Sequence, residues 1–559
     1  MTSVRIPHVA YFSMEIALQS DVPTYSGGLG VLAGDTLRSA ADLALPVTAV
    51  TLASRSGYFR QQIEGGRQLE HPQAWNPADH ARHVPVKVPV RVGAREVWVT
   101  AWEWRIESHC AESQPVSVLL LDTDLPENHP EDRALTGTLY GGDAAYRLAQ
   151  EMVLGIGGVR LLAAIGCPVE KYHLNEGHAA LLTLELLREQ MERSDCDLDA
   201  AIEAVRRRCV FTTHTPVPAG HDQFEHDLVH SLLGTLASAE LLRRLGGAER
   251  LNMTLVALEL SGWVNGVAQR HAEVSRAMFP GFEVHAITNG VHPWTWASDG
   301  HRALFDQHVP HWCHEPELLI HASRIPLEDI ARAHARAKAS LLAHAQRVAE
   351  PVALAPDCLT IGFARRMTSY KRPLLLFSDL ARLRRIARRY PLQIVMAGKA
   401  HPRDWEGKQH IEQLHAIARE LEGEVPLVFL PGYDMDLGRQ MTAGVDLWLN
   451  TPQRPLEASG TSGMKAALNG VPNLSVLDGW WLEGWEEGVT GWAVGPDGPH
   501  DPAVDSLSLH DQLEQVIAPL FYEDPQAWLH VCREAIARNG SQFNSHRMLR
   551  RYVLEAYTR

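Results

Sequence analysis

The stretch 445-VDLWLNTPQRPLEASGTSGMKAALNGVPNLSVLD-478 decides the fold. VDLWLN (445–450) and PNLSVLD (472–478) are short apolar runs of the kind that lie buried in a parallel sheet. Between them EASGTSGMKAALNG (457–470) opens a helix, so the stretch is one βαβ unit. The pattern repeats upstream. LTIGFA (359–364), LQIVMAG (392–398) and LVFLPG (427–432) are further buried strands, and helical patterns fill 372–390, 404–423 and 435–444 between them. That alternation predicts a doubly wound, Rossmann-like domain. In the N-terminal half HVAYFSM, PVTAVTLAS, YHLNE, CVFTTHT and VHAITNG are strand candidates, with a long helix over 143–166, which predicts a second α/β domain. Residues 84–106 alternate with period two around a Gly-containing turn, as an antiparallel β excursion does.

No repeat, low-complexity run or long linker separates the halves. The expected hinge lies near Thr288–Asn289–Gly290, ahead of a helix over 328–349. The expected domains are 1–290 and 291–559, with the last helix packing back on the first. Two such domains facing each other leave a deep cleft at the carboxyl ends of both sheets.

Composition narrows the function classes. The 559 residues carry 52 Lys plus Arg against 67 Asp plus Glu, a formal charge of −15. That leaves no general basic surface for nucleic acid or anionic lipid, so an anion site must be local. Apolar residues at 45% and charged residues at 21% suit a globular chain with a substantial core. Seven scattered cysteines, an odd number with no CxxC, indicate neither a disulfide framework nor a zinc ribbon. Glu15 interrupts any early apolar core, and no run reaches membrane-spanning length, so the expectation is a cytoplasmic protein.

Three motifs carry chemistry. In TYSGGLGVLAGDTLRSAADLA, Gly27, Gly28 and Gly30 precede a helix, so bare backbone N–H groups can approach an anion at its positive end; the competing reading is a tight turn. ARRMTSYKRP follows the strand LTIGFA and brings Arg365, Arg366, Lys371 and Arg372 to a strand's carboxyl end. In so acidic a chain these four cations suggest a phosphate pocket rather than a solvated turn. In EASGTSGMKAALNG, Ser459, Gly460, Thr461, Ser462 and Gly463 offer hydroxyls and amides at a helix N-terminus. Lys465 follows one turn on, where an amine has a lowered pKa and can form an imine. HLNEGH, with His173, Glu176 and His178, does not have zincin spacing, and no metal site is expected. His221 is expected to hydrogen-bond within its loop. Trp480, Trp481 and Trp485 suit either sugar stacking or a core.

At these residues the chain resembles a known family. EASGTSGMKAALNG is similar to the pyridoxal-phosphate motif of the α-glucan (glycogen, starch, maltodextrin) phosphorylases, usually EASGTSNMKxxLNG. YSGGLGVLAGD, the YKR triplet, THTxxPAGH around His214, NEGH at 175–178 and ITNG at 287–290 match in the same order, from about Tyr11 onward. The resemblance implies the GT-B type glycosyltransferase architecture in its compact bacterial form. Without the extended N-terminal regulatory region of the longer enzymes, effector control through it is not expected. Homodimers, common in the family, are an open expectation.

Carried over residue by residue, the resemblance implies that Lys465 holds pyridoxal 5'-phosphate as a Schiff base. Thr461, Lys371 and Arg365 would serve the cofactor phosphate, and Arg366 the substrate phosphate beside it. Gly28 and Leu29 would present amides to phosphate and sugar, while Glu457, Ser459, Gly460, Asn289 and His178 would line the glucosyl site. The His214 carbonyl would face the oxocarbenium-like transition state. Gly463 stands where the family has Asn, Arg365 where many members have Lys, and Thr368 where many have His; these departures bear on the fine geometry of the phosphate pocket. The implied reaction is retaining phosphorolysis of an α-1,4-glucan to glucose 1-phosphate, the substrates being glucan and inorganic phosphate. Two phosphates side by side call for clustered cations. Two alternatives remain open: a nucleotide-sugar glucosyltransferase of the glycogen-synthase kind, which has no need of Lys465, and a catalytically silent glucan-binding protein.

Overall fold

The computed structural model describes residues 5–110, 113–348 and 352–559. They form two compact units, one of residues up to Phe59, Pro72–Ile287 and Met548–Arg559, the other of Arg60–His71 and Thr288–Arg547.

The first unit is built on a nine-stranded sheet. Its strands run in the order His285–Ala286, Trp263–Gly266, Cys209–Thr212, Lys171–Asn175, Val9–Ser13, Val47–Leu52, Val116–Asp122, Arg95–Ile106, Arg82–Val92. The first seven are parallel. Arg95–Ile106 and Arg82–Val92 add antiparallel at one edge, so the period-two stretch extends the main sheet instead of forming a separate layer. Both faces are covered. Val9 and Tyr11 pack into one apolar cluster and Ala10 and Phe12 into another, which is why the strand is apolar throughout rather than alternating. The long helix expected over 143–166 forms as Ala144–Met152 and Gly158–Ala164, joined by a π-helical turn at Val153–Gly157. Met548, Leu549, Tyr552, Ala556 and Tyr557 lie in this unit's core beside Val9 and Tyr11.

The second unit holds six parallel strands ordered Leu427–Leu430, Leu392–Ala397, Leu359–Ala364, Leu447–Asn450, Asn473–Val476, Gly491–Val494. Five match the expected strands; Gly491–Val494 is additional. In chain order the arrangement is 3-2-1-4-5-6, and the seven parallel strands of the first unit begin the same way around Val9–Ser13. In such sheets the order reverses at one point, and the loops diverging there at the carboxyl ends leave room for a ligand. The reversal falls between Leu359–Ala364 and Leu447–Asn450 in the second unit, and between Val9–Ser13 and Lys171–Asn175 in the first. The helix expected over 328–349 spans Leu327–Val348; its last expected residue lies outside the described residues.

A small hairpin, Arg60–Glu64 with Arg67–His71, turns on Gly65 and Gly66, both at positive φ as a two-residue hairpin turn requires. Gln61 Nε2 donates to the Gly398 carbonyl at 2.8 Å and Gln68 Nε2 to that of Ala400 at 2.9 Å, fixing it to a strand-end loop of the second unit. Among the described residues, no helix is long and apolar enough to cross a membrane.

Candidate functional site

In the second unit the chain leaves strand Leu359–Ala364 directly into Arg365, at the reversal of strand order. Arg365 bonds through one nitrogen to Asn450 Oδ1, at the end of the neighbouring strand, and lies 2.7 Å from Glu457 Oε2 through another. Lys371 Nζ reaches the same Glu457 oxygen at 2.7 Å. Burial alone would raise the Glu457 carboxyl; Arg365 and Lys371 outweigh it and hold the group below the usual carboxylate range. The four cations of ARRMTSYKRP therefore do not act as one group. Arg365 and Lys371 converge on Glu457, and Arg366 is exposed. Arg372 is drawn away, bonding Asp505 at 2.7 Å and the carbonyls of Thr451 and Pro452 at 2.9 Å each.

Helix Thr461–Leu468 begins after Gly460, whose φ of 91° is left-handed and whose missing side chain leaves the first turn without a side-chain cap. The Ser459 hydroxyl is buried with no protein partner. Lys465 is buried, and its Nζ lies 3.5 Å from the centroid of the Trp296 ring. Asn469 fixes that pair: its Nδ2 donates to the carbonyls of Trp296 (2.8 Å) and Lys465 (2.9 Å), and its Oδ1 accepts from the Ser298 amide. An uncapped helix start, a buried amine, a partnerless hydroxyl and two cations at strand ends form a donor set suited to a phosphorylated group bearing a carbonyl.

Gly463 has a steric reason. A Cβ there would meet Asn473 Oδ1 at 2.4 Å and the Trp480 ring at 2.9 Å, so Trp480 occupies the space that a side chain at 463 would need. Trp480 and Trp481 are core residues, and Trp485 donates to Glu487. Below the loop, Asp478 accepts from the amides of Glu457 and Gly479, and burial pushes its carboxyl up to about 7. Asn289 is buried with Oδ1 unpartnered, while Arg547 bonds its carbonyl at 3.0 Å. Gly290 has no room for a Cβ, because the Asn544 carbonyl oxygen would lie 2.1 Å away.

In the first unit the glycine loop is held by Glu15, which the sequence did not single out. Its carboxylate accepts from the Ser26 amide (2.6 Å), the Gly27 amide (3.1 Å) and the Tyr140 hydroxyl (2.9 Å). Helix Gly28–Asp42 follows, so Gly28 and Leu29 form its first turn, where amides have no intrahelical acceptor. At the ends of the neighbouring strands Lys171–Asn175 and Cys209–Thr212, Asn175 Oδ1 lies 2.6 Å from His214 Nε2. Burial, reinforced by His271, His173 and His178, holds His214 neutral, well below its ordinary pKa. His178 lies 3.5 Å from Asp222, which Arg147 also bonds at 2.9 Å; burial and Arg147 push its pKa down to about 3. His173 is a core residue hydrogen-bonded to Tyr557 and Thr212, and His221 bonds Thr254 within its own unit.

Glu15, Asp222 and Trp296 thus surround residues that the motifs identified, while lying outside those motifs; Asn469 lies within EASGTSGMKAALNG, where the sequence assigned it no role. Glu15 alone had an available signal, its place just beyond a strand's carboxyl end.

The family profile described as carbohydrate phosphorylase matches residues 15–132 and 235–489, which include Glu15, Gly28, Asn289, Arg365, Lys371, Glu457 and Lys465. The chain is 38% identical to the maltodextrin phosphorylase of Thermococcus litoralis, over 99% of this chain and 70% of that protein. It is 38% identical to the glycogen phosphorylase of Mycobacterium tuberculosis H37Rv over 98% of this chain and 70% of the relative, and 34% identical to that of Aquifex aeolicus over 99% and 86%. With two thirds of the sequence inside the matched segments and near-complete alignment to these relatives, the chain belongs to the carbohydrate phosphorylase family.

Proposed function

We propose that this chain is an α-1,4-glucan phosphorylase, which releases α-glucose 1-phosphate from the non-reducing end of a glucan with retention of configuration. The observation that carries the reading is buried Lys465 in an uncapped helix, on the same loop and helix as a Glu457 carboxylate held by Arg365 and Lys371. The names of the relatives, maltodextrin and glycogen phosphorylase, support the choice of substrate class. In this reading 1–290 and 291–559 act as two Rossmann-like domains facing a cleft, the first serving the glucan and part of the phosphate site.

The residues fit pyridoxal 5'-phosphate, held through the Lys465 amine with Thr461, Lys371 and Arg365 toward its phosphate. When bound, it supplies a phosphate that backs proton delivery from the substrate phosphate to the leaving glucosidic oxygen. Arg366 binds the substrate phosphate with a guanidinium fork, and the Gly28 and Leu29 amides donate to phosphate and sugar oxygens. Glu457, Ser459, Gly460, Asn289 and His178 bind glucosyl hydroxyls. The carbonyl of His214 presents negative charge to the cationic sugar as the glucosidic bond breaks.

The test joins activity to chemistry. Phosphate-dependent release of glucose 1-phosphate from maltodextrin is expected, with a phosphopyridoxyl group on Lys465 after borohydride reduction and peptide mapping. An unmodified Lys465 together with nucleotide-sugar binding would replace the reading by a glucosyltransferase. Glucan binding with neither would leave a silent binding protein.

A further inference from the structure

Glu176 stands out against every rule that placed the other residues. It follows strand Lys171–Asn175 with φ 78° and ψ 165°, a backbone conformation nearly confined to glycine, although Gly177 is its neighbour. It is buried, at 5% exposure. A glycine would relieve the strain, so the side chain must do something that outweighs it.

Both of its carboxylate oxygens accept hydrogen bonds from residues ahead of it in the chain. Oε1 accepts from the Gly177 amide at 3.0 Å. Oε2 accepts from the His214 amide at 2.8 Å and from the Thr215 hydroxyl at 2.9 Å. One oxygen therefore grips the chain on both sides of the His214 carbonyl. The Glu176 amide donates to the Thr212 carbonyl at 2.9 Å, tying the same two strand ends from the other direction. The preceding residue, Asn175, holds the His214 ring at 2.6 Å. Residues 175 and 176 together fix both the ring and the backbone of residue 214.

We propose that Glu176 is a positioning residue for phosphorolysis, holding the His214 carbonyl against the reacting sugar through the His214 amide and the Thr215 hydroxyl. The role rests on the functional reading above. Positive φ sends the side chain back over the strand end toward the 213–215 loop, and a relaxed backbone at 176 would lose that direction. The strain is thus part of the device. The loop carries no other acid that could replace it, since the nearest acidic residue along the chain is Asp222, which is paired with Arg147.

Glu176→Gln keeps the shape but sets an amide N–H₂ against N–H donors, and Glu176→Gly removes both side chain and strain. In both variants kcat for phosphorolysis should fall about 10- to 100-fold, the loss that a misplaced reacting group produces, with KM for glucan and phosphate changed less than about threefold. Amide exchange in peptides spanning 209–217 should quicken, and Glu176→Asp should recover part of kcat. Glu176→Gly is expected to remain folded, because it relieves strain. Unchanged kcat in folded variants, or unchanged exchange at 213–215, would overturn the proposal, as would a loss confined to KM. Quickened exchange in the variants together with no phosphorolysis by the wild-type protein would refute the functional reading and with it this role, leaving only the contact.

Discussion

Acidifying the first unit from pH 7.5 to 5 should remove about 6 kcal/mol of its stability. Burial holds His173 and His178 down to about 3, and His271 down to about 4, against an ordinary 6.5. The unfolded chain binds a proton at each near pH 6.5, whereas the folded chain refuses it until near pH 3 to 4. Folded pKa values that lie below unfolded ones give stability that is present above pH 6.5 and lost as pH falls. Each such group costs about 1.4 kcal/mol per pH unit, or about 2 kcal/mol by pH 5. Burial lowers His214 as well and so adds to the loss. Burial raises the Glu151 carboxyl, which acts with the opposite sign. The three histidines His173, His178 and His271 together give a slope of roughly 4 kcal/mol per pH unit below about pH 6. Set against a domain stability of about 5–15 kcal/mol, that is enough to approach unfolding. The assay is urea unfolding at a series of pH values, with hydrogen exchange in peptides covering Lys171–Asn175 and Gln269–Met278 to place the loss in this unit. His173→Gln, whose amide can still meet Tyr557 and Thr212, should reduce the slope by about 1.4 kcal/mol per pH unit. A slope under about 1 kcal/mol per pH unit, or stability that rises on acidification, would refute the reasoning.

Lys465→Ala should leave the circular dichroism spectrum unchanged while abolishing both phosphorolysis and phosphopyridoxyl labelling; near-normal turnover would remove the cofactor assignment. Arg366→Ala should raise KM for phosphate at least tenfold with little change in KM for glucan, and an unchanged phosphate dependence would place that anion elsewhere. Gly463→Asn should destabilise the second unit by about 1–3 kcal/mol in thermal denaturation through overpacking against Asn473 and Trp480. Trp480→Ala in the same chain should recover part of the loss, and additive losses would mean that the two positions do not share space.

The strands buried on both faces were legible because their residues have no solvent side to serve. LTIGFA corresponds to Leu359–Ala364 and LQIVMAG to Leu392–Ala397, and the helix pattern over 435–444 to Met435–Gly444. Gly491–Val494 was not, since four residues opening on a glycine give too short a run. The hairpin Arg60–His71 was hidden for a different reason: its anchors are the polar Gln61 and Gln68, whose amides meet backbone groups more than 300 residues away in sequence. Within the site, Lys465, Glu457 and Lys371 were legible because a helix N-terminus and a strand end dictate which residue types can work there. Trp296 lay beyond reach, for its contact with Lys465 depends on Asn469 and on no local pattern. The cationic cluster was over-counted, because nothing in the order of residues shows that buried Asp505 claims Arg372.

The tail segment Met548–Arg559 has a consequence for how the protein is made. Tyr557 bonds His173, the Arg559 carbonyl accepts from Lys171, and Tyr552 bonds both Thr212 and Asn265, all within the first unit's parallel sheet. During synthesis the ribosome completes strands Val9–Ser13 through His285–Ala286 and then must produce all of Thr288–Arg547 before these tyrosines emerge. Until then the nascent sheet exposes an apolar face and polar groups that each lack one of their partners, so the first half of the chain to be translated cannot be the first to finish folding.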